Sequence, residues 1–213
     1  MVPAGTTSRE NEVTTPEPTV RERILEAAFT AFMKNGYAAT STIEIATNAK
    51  VSKRELYAVV GNKQEMLMAC ISERSKRLQA PADLPVARDR ESLEQILVAF
   101  GTQLLREVSD PTVIAVFRLA IAETARAAEV ARTLDSIGRG TSRATLRKIV
   151  TQAQESGLLD EGRPADLVEQ FFALLWGDLM VSLLLGVAER PKPREITARA
   201  QGAAAAFLQL HAL

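Results

Sequence analysis

Three helix starts crowd into 25 residues of this chain, and they restrict the fold more than any other feature of its 213 residues. Ser41-Thr42-Ile43-Glu44, Ser52-Lys53-Arg54-Glu55 and Asn62-Lys63-Gln64-Glu65 each place a side-chain acceptor three residues before a glutamate, the pattern of a capping box. They predict helix starts near residues 42, 53 and 63, so the first two helices must be short and must turn sharply. Upstream, Val20, Ile24, Ala28 and Phe32 form one apolar stripe with Leu25 beside it, which predicts a helix over 19–35 closed by Gly36.

The rest of the chain has the same period. Helices are expected at 92–108, 111–125, 128–156, 164–187 and 194–212, with Asp110-Pro111, Arg163-Pro164 and Lys192-Pro193 as start signals and Gly157 as a stop. Gly138 and Gly140 leave open a break within 136–142; the Gly-Arg-Gly-Thr-Ser there lacks the spacing of a phosphate-binding loop and follows no strand pattern. Strand-like alternation is missing, so the expected class is all-α. Residues 1–18, rich in Thr, Glu and Pro, are expected to form a disordered tail. Two prolines and several charges in 81–90 mark the boundary between a small unit, 19–80, and a larger bundle, 81–213.

Composition excludes several functions. One cysteine, Cys70, permits no internal disulfide, and with one histidine, His211, no Cys/His zinc cluster and no two-His metal site can form; no Glu-x-x-His motif occurs. A Ser/His/Asp triad would have to use His211, two residues from the last, which is expected to lie at the surface. No enzyme, cofactor or metal is therefore expected. Cys70 reads as a buried small hydrophobe. The most apolar window, 171–187, contains Asp178 and is too short for a membrane span, and the absence of a signal-peptide pattern points to the cytoplasm.

Net charge is zero, yet residues 19–80 hold ten basic and six acidic side chains, a surplus of +4, whereas 1–18 and 81–213 carry −2 each. A basic module of that size suits contact with phosphates. Residues 41–60 have a helix-turn-helix layout, turning through Lys50 and Val51. On its second helix Leu56, Val59 and Val60 are expected inward, with Lys53, Arg54 and Tyr57 on the opposite face. Long donors on an exposed, core-anchored helix are what a major-groove reader requires.

Taken in order, Ile24-Leu25, Ala28, Phe32, Gly36-Tyr37, Thr40-Ser41, Ile45-Ala46, Val51-Ser52, Leu56-Tyr57, Lys63 and Glu65-Met66-Leu67 resemble the TetR family of bacterial transcriptional regulators. The resemblance implies that Thr40, Ser41, Thr42, Lys53, Arg54, Tyr57 and Lys63 lie toward DNA, with Tyr57 and Lys63 on phosphates. Lys50, standing where the family commonly has glycine, and Ser52 complete the candidate set. Lys50 would cost on the order of 1 kcal/mol if left-handed. Glu55 reads as a capping residue, with acceptance from a cytosine amino group as the alternative.

The larger bundle resembles the family's effector-binding and dimerisation domain through Phe117-Arg118-Leu119-Ala120-Ile121-Ala122-Glu123 and the last two helices. This implies a pocket among the middle helices and pairing of the last two about a two-fold axis. Phe100, Leu104, Phe117, Arg118, Glu123 and Trp176 are the candidate effector contacts, being aromatics and leucine with few polar groups. Phe171, Leu175, Met180, Leu183 and Leu184 are the candidate dimer contacts, on a helix apolar nearly all round. The expected function is a homodimeric regulator, most often a repressor, released from a near-palindromic double-stranded operator by a small apolar effector. The alternative is an interaction adaptor that binds no DNA.

Overall fold

Helix α1, Val20–Asn35, begins where Thr19 accepts from the Glu22 N–H and the Glu22 carboxylate returns to the Thr19 N–H. It ends at Gly36, whose φ of 81° suits glycine. In the computed structural model, which describes residues 17–75, 85–125 and 128–211, every regular element is helical. Helices α2 (Thr42–Ala49), α3 (Lys53–Val59) and α4 (Lys63–Ser75) follow at the expected starts. Ser41 and Ser52 accept from the N–H groups of Glu44 and Glu55, but only Asn62 and Glu65 close a full reciprocal box among the three. The Glu44 carboxylate is held by Asn35 Nδ2 instead, at 2.9 and 3.1 Å.

Ile24, Phe32, Ile45, Leu56 and Met66 are fully buried where these four helices meet. Cys70 is buried as expected, its thiol donating to the Leu25 carbonyl at 3.3 Å. Of the trio expected inside α3, only Leu56 is; Val60 is half-buried and Val59 exposed, because a seven-residue helix packs only one turn. Residues 1–16, and the expected domain boundary near 80, lie outside the described residues.

Helix α5, Arg90–Val108, runs against α11, Pro193–His211. Ala200, Ala203 and Ala204 are small enough to let the two backbones approach, and Leu93, Leu97, Leu104 and Leu105 fill the seam with Phe207. Between them lie α6 (Pro111–Glu123), α7 (Ala128–Thr133), a π-helical stretch (Leu134–Arg139) and α8 (Gly140–Glu155). The π stretch falls at the glycines that made the long helix doubtful; such insertions often mark functional positions.

The expected helix over 164–187 is two: α9, Pro164–Trp176, and α10, Leu179–Leu185, bent by 56° at Gly177. Gly177 has φ 48° and ψ −126°, which only glycine adopts easily. The apolar run continues through the bend, so periodicity alone could not show it. Among the described residues no single helix is long and apolar enough to cross a membrane.

The bend also corrects the dimer reading. Phe171, Leu175 and Leu183 are buried in the chain's own core, where Phe171 meets Phe207 edge-on at 5.5 Å. Met180 and Leu184 line an internal cavity. The exposed large apolar side chains of this region are Leu174, Val181, Leu185 and Val187, with Leu210 on α11. His211 is not a free surface residue: its ring hydrogen-bonds Asp160 and Gln170 and packs on Phe207, tying the α8–α9 connection to the end of α11. Hydrogen bonding to His211 holds the Asp160 carboxyl below its ordinary range.

The two expected units share an apolar core. Val116, Leu119 and Ala120 of α6 and Val130 and Leu134 beyond it pack with α1 and α4. At the end of α6, Glu123 is buried, accepts from the Ala38 N–H at 3.4 Å, and has a second oxygen with no hydrogen-bond partner. A Cβ on Gly36 would stand 2.9 Å from the end of that side chain, and the positive φ of the turn after α1 already favours glycine.

Candidate functional site

Helix α3 is held from one side. Leu56 anchors it in the core, and Lys53, Arg54 and Tyr57 are exposed, the face expected from the sequence. Lys53 Nζ lies 5.9 Å from the Tyr57 ring, one helical turn away, and the Tyr57 hydroxyl is 3.3 Å from Thr42 Oγ1 on α2. That contact links α2 to α3 on the side where Thr42, Lys53, Arg54 and Tyr57 form one surface. Ser41 and Ser52 stand at its edge, exposed but already serving as N-caps.

Lys50 has φ 56° and ψ 46°, the left-handed conformation for which glycine is the usual residue. The Val51 N–H donates back to the Ala46 carbonyl, closing α2 with a Schellman-type turn. Lys50→Gly is therefore expected to raise stability by up to about 1 kcal/mol, with a melting point roughly 2–4 °C higher. If Lys50 meets a phosphate, the same change lowers the slope of log affinity against log salt by about 1 per protomer. Thermal melts and salt-dependent DNA titrations on one variant check both outcomes.

Two expected DNA contacts are placed elsewhere. Thr40 is 2% exposed, its hydroxyl reaching the carbonyls of Ala31 at 3.1 Å and Gly36 at 2.7 Å. Lys63 Nζ lies within 3.2 Å of the carbonyls of Tyr37, Ala38 and Thr40 and 4.7 Å from the Tyr37 ring. Three N–H donors meet three acceptors, so the ammonium pins the α1–α2 turn and has no donor left for a phosphate. All three carbonyls lie in the loop before α2, 23 to 26 positions from Lys63, which is why spacing gives no sign of the contact. Conversely, Ile43 on α2 is 63% exposed beside this surface and was not singled out; it sits off the stripe of Ile45, Ala46 and Ala49.

A cavity of about 530 Å³ opens in the larger bundle. Leu104, Phe117 and Trp176, expected effector contacts, line it, together with Phe172, Met180 and Leu184. Phe100, Arg118 and Glu123 do not. Phe100 packs on Phe171 and Phe172, Arg118 donates to the carbonyls of Leu183 and Leu184 at the end of α10, and Glu123 faces the N-terminal unit. Ile71 of α4 reaches the cavity wall from that unit. Among the described residues no cluster of side chains suited to a metal ion occurs.

Comparison with known proteins bears on both halves. Residues 24–70 match the family described as bacterial regulatory proteins, tetR family, and residues 95–212 match the AefR-like transcriptional repressor C-terminal domain. The chain is 26% identical over 174 residues to YvkB of Bacillus subtilis (strain 168), an uncharacterized HTH-type transcriptional regulator, covering 82% of this chain and 88% of that one. The crystal structure of a TetR transcriptional regulator from Agrobacterium tumefaciens superposes with a TM-score of 0.75 at 27% identity, covering 90% of this chain and 94% of that one. For the flavonoid-responsive regulator FrrA the TM-score is 0.77 at 26% identity, with 91% and 97% covered.

Proposed function

The chain belongs to the TetR family and is a DNA-binding transcriptional regulator, and from that premise we propose that it is a homodimeric repressor released by a small, largely apolar effector bound in the cavity of the larger bundle. The observation that carries the reading is the cavity itself. At about 530 Å³ it falls within the usual size for small-molecule sites, and its wall is shared between the bundle and Ile71 of α4. The neighbour named as flavonoid-responsive supports an aromatic effector.

The DNA surface is read as Lys50, Lys53, Arg54 and Tyr57 with Ser41, Thr42 and Ser52, and Thr40 and Lys63 act behind it as the parts that fix the α1–α2 turn. Two copies would set two α3 helices in successive major grooves of a near-palindrome. Leu174, Val181, Leu185 and Leu210 supply the exposed apolar surface for pairing. The action assigned is regulatory and cytoplasmic, with no catalysis.

Coupling follows from α6. Val113, Val116 and Phe117 line the cavity, and the same helix contributes Leu119 and Ala120 to the N-terminal core and Glu123 beneath the turn after α1. An effector that displaces α6 moves groups on which the DNA-binding helices stand. It lowers operator affinity by the difference between its affinities for the two arrangements.

The test is binding to DNA upstream of the protein's own gene, with and without aromatic effectors. A dimer making about six to ten phosphate contacts loses roughly 10³- to 10⁵-fold in affinity between about 50 and 200 mM salt. Tyr57→Ala should weaken binding with the fold intact, since its ring is exposed. Absence of salt-dependent DNA binding would favour the adaptor reading, and Tyr57→Ala binding DNA like the parent would contradict the orientation assigned to α3.

A further inference from the structure

The polar groups of the cavity restrict what it accepts. Four of them, Arg139, Ser142, Arg143 and Glu169, come from the junction of the π stretch with α8 and from the facing turn of α9; the fifth is Glu107 of α5. Two arginines and two glutamates sum to no net charge, and each already has a partner. Arg143 grips Glu169 through Nε at 2.8 Å and a terminal nitrogen at 3.2 Å, Arg139 pairs with Asp135 at 2.9 Å, and Glu107 accepts from Gln103 at 3.0 Å. The Arg143 guanidinium also lies 5.7 Å from the centre of the Phe172 ring, within the aromatic wall.

A carboxylate received by Arg143 would lie beside the Glu169 carboxylate, and a cation received by Glu169 would lie beside the Arg143 guanidinium, so each meets a like charge. An uncharged hydroxyl meets neither repulsion. Arg143 has five N–H donors and commits two to Glu169, and each Glu169 oxygen keeps lone-pair capacity. One hydroxyl can therefore accept from the guanidinium and donate to the carboxylate while the ion pair stays closed. The rest of the lining, with Phe117, Phe172 and Trp176 prominent, suits a flat ring system.

We propose that the cavity takes an uncharged aromatic molecule bearing a hydroxyl of the phenol class, which bridges Arg143 and Glu169. The inference rests on the cavity being the effector site and names the chemistry of its ligand. The Arg143 side chain is 34% exposed and that of Glu169 60%, which limits the discrimination to about tenfold, well short of that of a sealed polar site.

Trp176, the sole tryptophan of the sequence, lines the cavity, so the fluorescence of the full chain reports occupancy. The probes are 4-phenylphenol, biphenyl and biphenyl-4-carboxylate at pH 7, where a phenol with a pKa near 10 is neutral and the carboxylate is ionised. The phenol is expected to bind about tenfold more tightly than either of the others. Glu169→Gln frees the Arg143 charge and should improve the carboxylate about tenfold over its binding to the parent protein. Biphenyl or the carboxylate matching the phenol on the parent protein would overturn the proposal, as would a Glu169→Gln variant with an unchanged order. No response of Trp176 to any probe would overturn it together with the cavity reading. The expected order without release of DNA would uphold the ligand class and overturn the effector role alone.

Discussion

Replacing Arg54 by alanine is expected to cost about 1–3 kcal/mol of operator affinity per half-site and to flatten the preference for the base it meets. Arg54 is the second residue of α3, and it is the N-terminal turn of such a helix that meets base edges when the helix lies in the major groove. Its side chain is exposed and Leu56, not Arg54, anchors the helix, so stability should stay within about 0.5 kcal/mol of the parent. A symmetric operator carries two half-sites, which doubles the loss in free energy. Lys53→Ala is the control, because loss of a phosphate contact weakens all sequences alike. Anisotropy titrations on the operator and on single-base variants separate the two patterns. Uniform weakening by Arg54→Ala would make it a phosphate contact, and no weakening would remove α3 from the interface.

What the sequence disclosed about this surface came from short-range chemistry. Ser41 and Ser52 cap their helices by reaching the N–H three residues on, Gly36 and Lys50 close helices with their own backbone angles, and Lys53 and Tyr57 share a face because one helical turn separates them. Each signal is complete within a few neighbouring residues. Lys63 and Thr40 were misplaced because their partners are carbonyl groups, which no side-chain pattern records. Glu123 bonds a backbone N–H 85 positions away, across two units that charge and proline content had separated. The cavity was legible where aromatics marked it, at Phe117 and Trp176, and hidden where it depends on the bend at Gly177. That bend turns Met180 and Leu184 onto the cavity wall.

The same bend separates core residues from the apolar surface proposed for pairing, and two substitutions measure the separation. Phe171→Ala is expected to destabilise the chain by about 3–5 kcal/mol, since it empties a fully buried site that Phe207 and Phe100 border. That is a large share of the roughly 5–15 kcal/mol that holds a typical domain folded. Leu185→Glu should behave in the opposite way: the side chain is 72% exposed, so helix content and the unfolding of the single chain should barely change. A charge in an apolar pairing surface instead favours the monomer. Operator binding then falls, because two linked half-site contacts become two independent ones. Denaturant titrations report the first effect and sedimentation at several protein concentrations the second. A dimer that survives Leu185→Glu would move the pairing surface off α10, and a Phe171→Ala protein as stable as the parent would contradict the core packing from which the cavity is built.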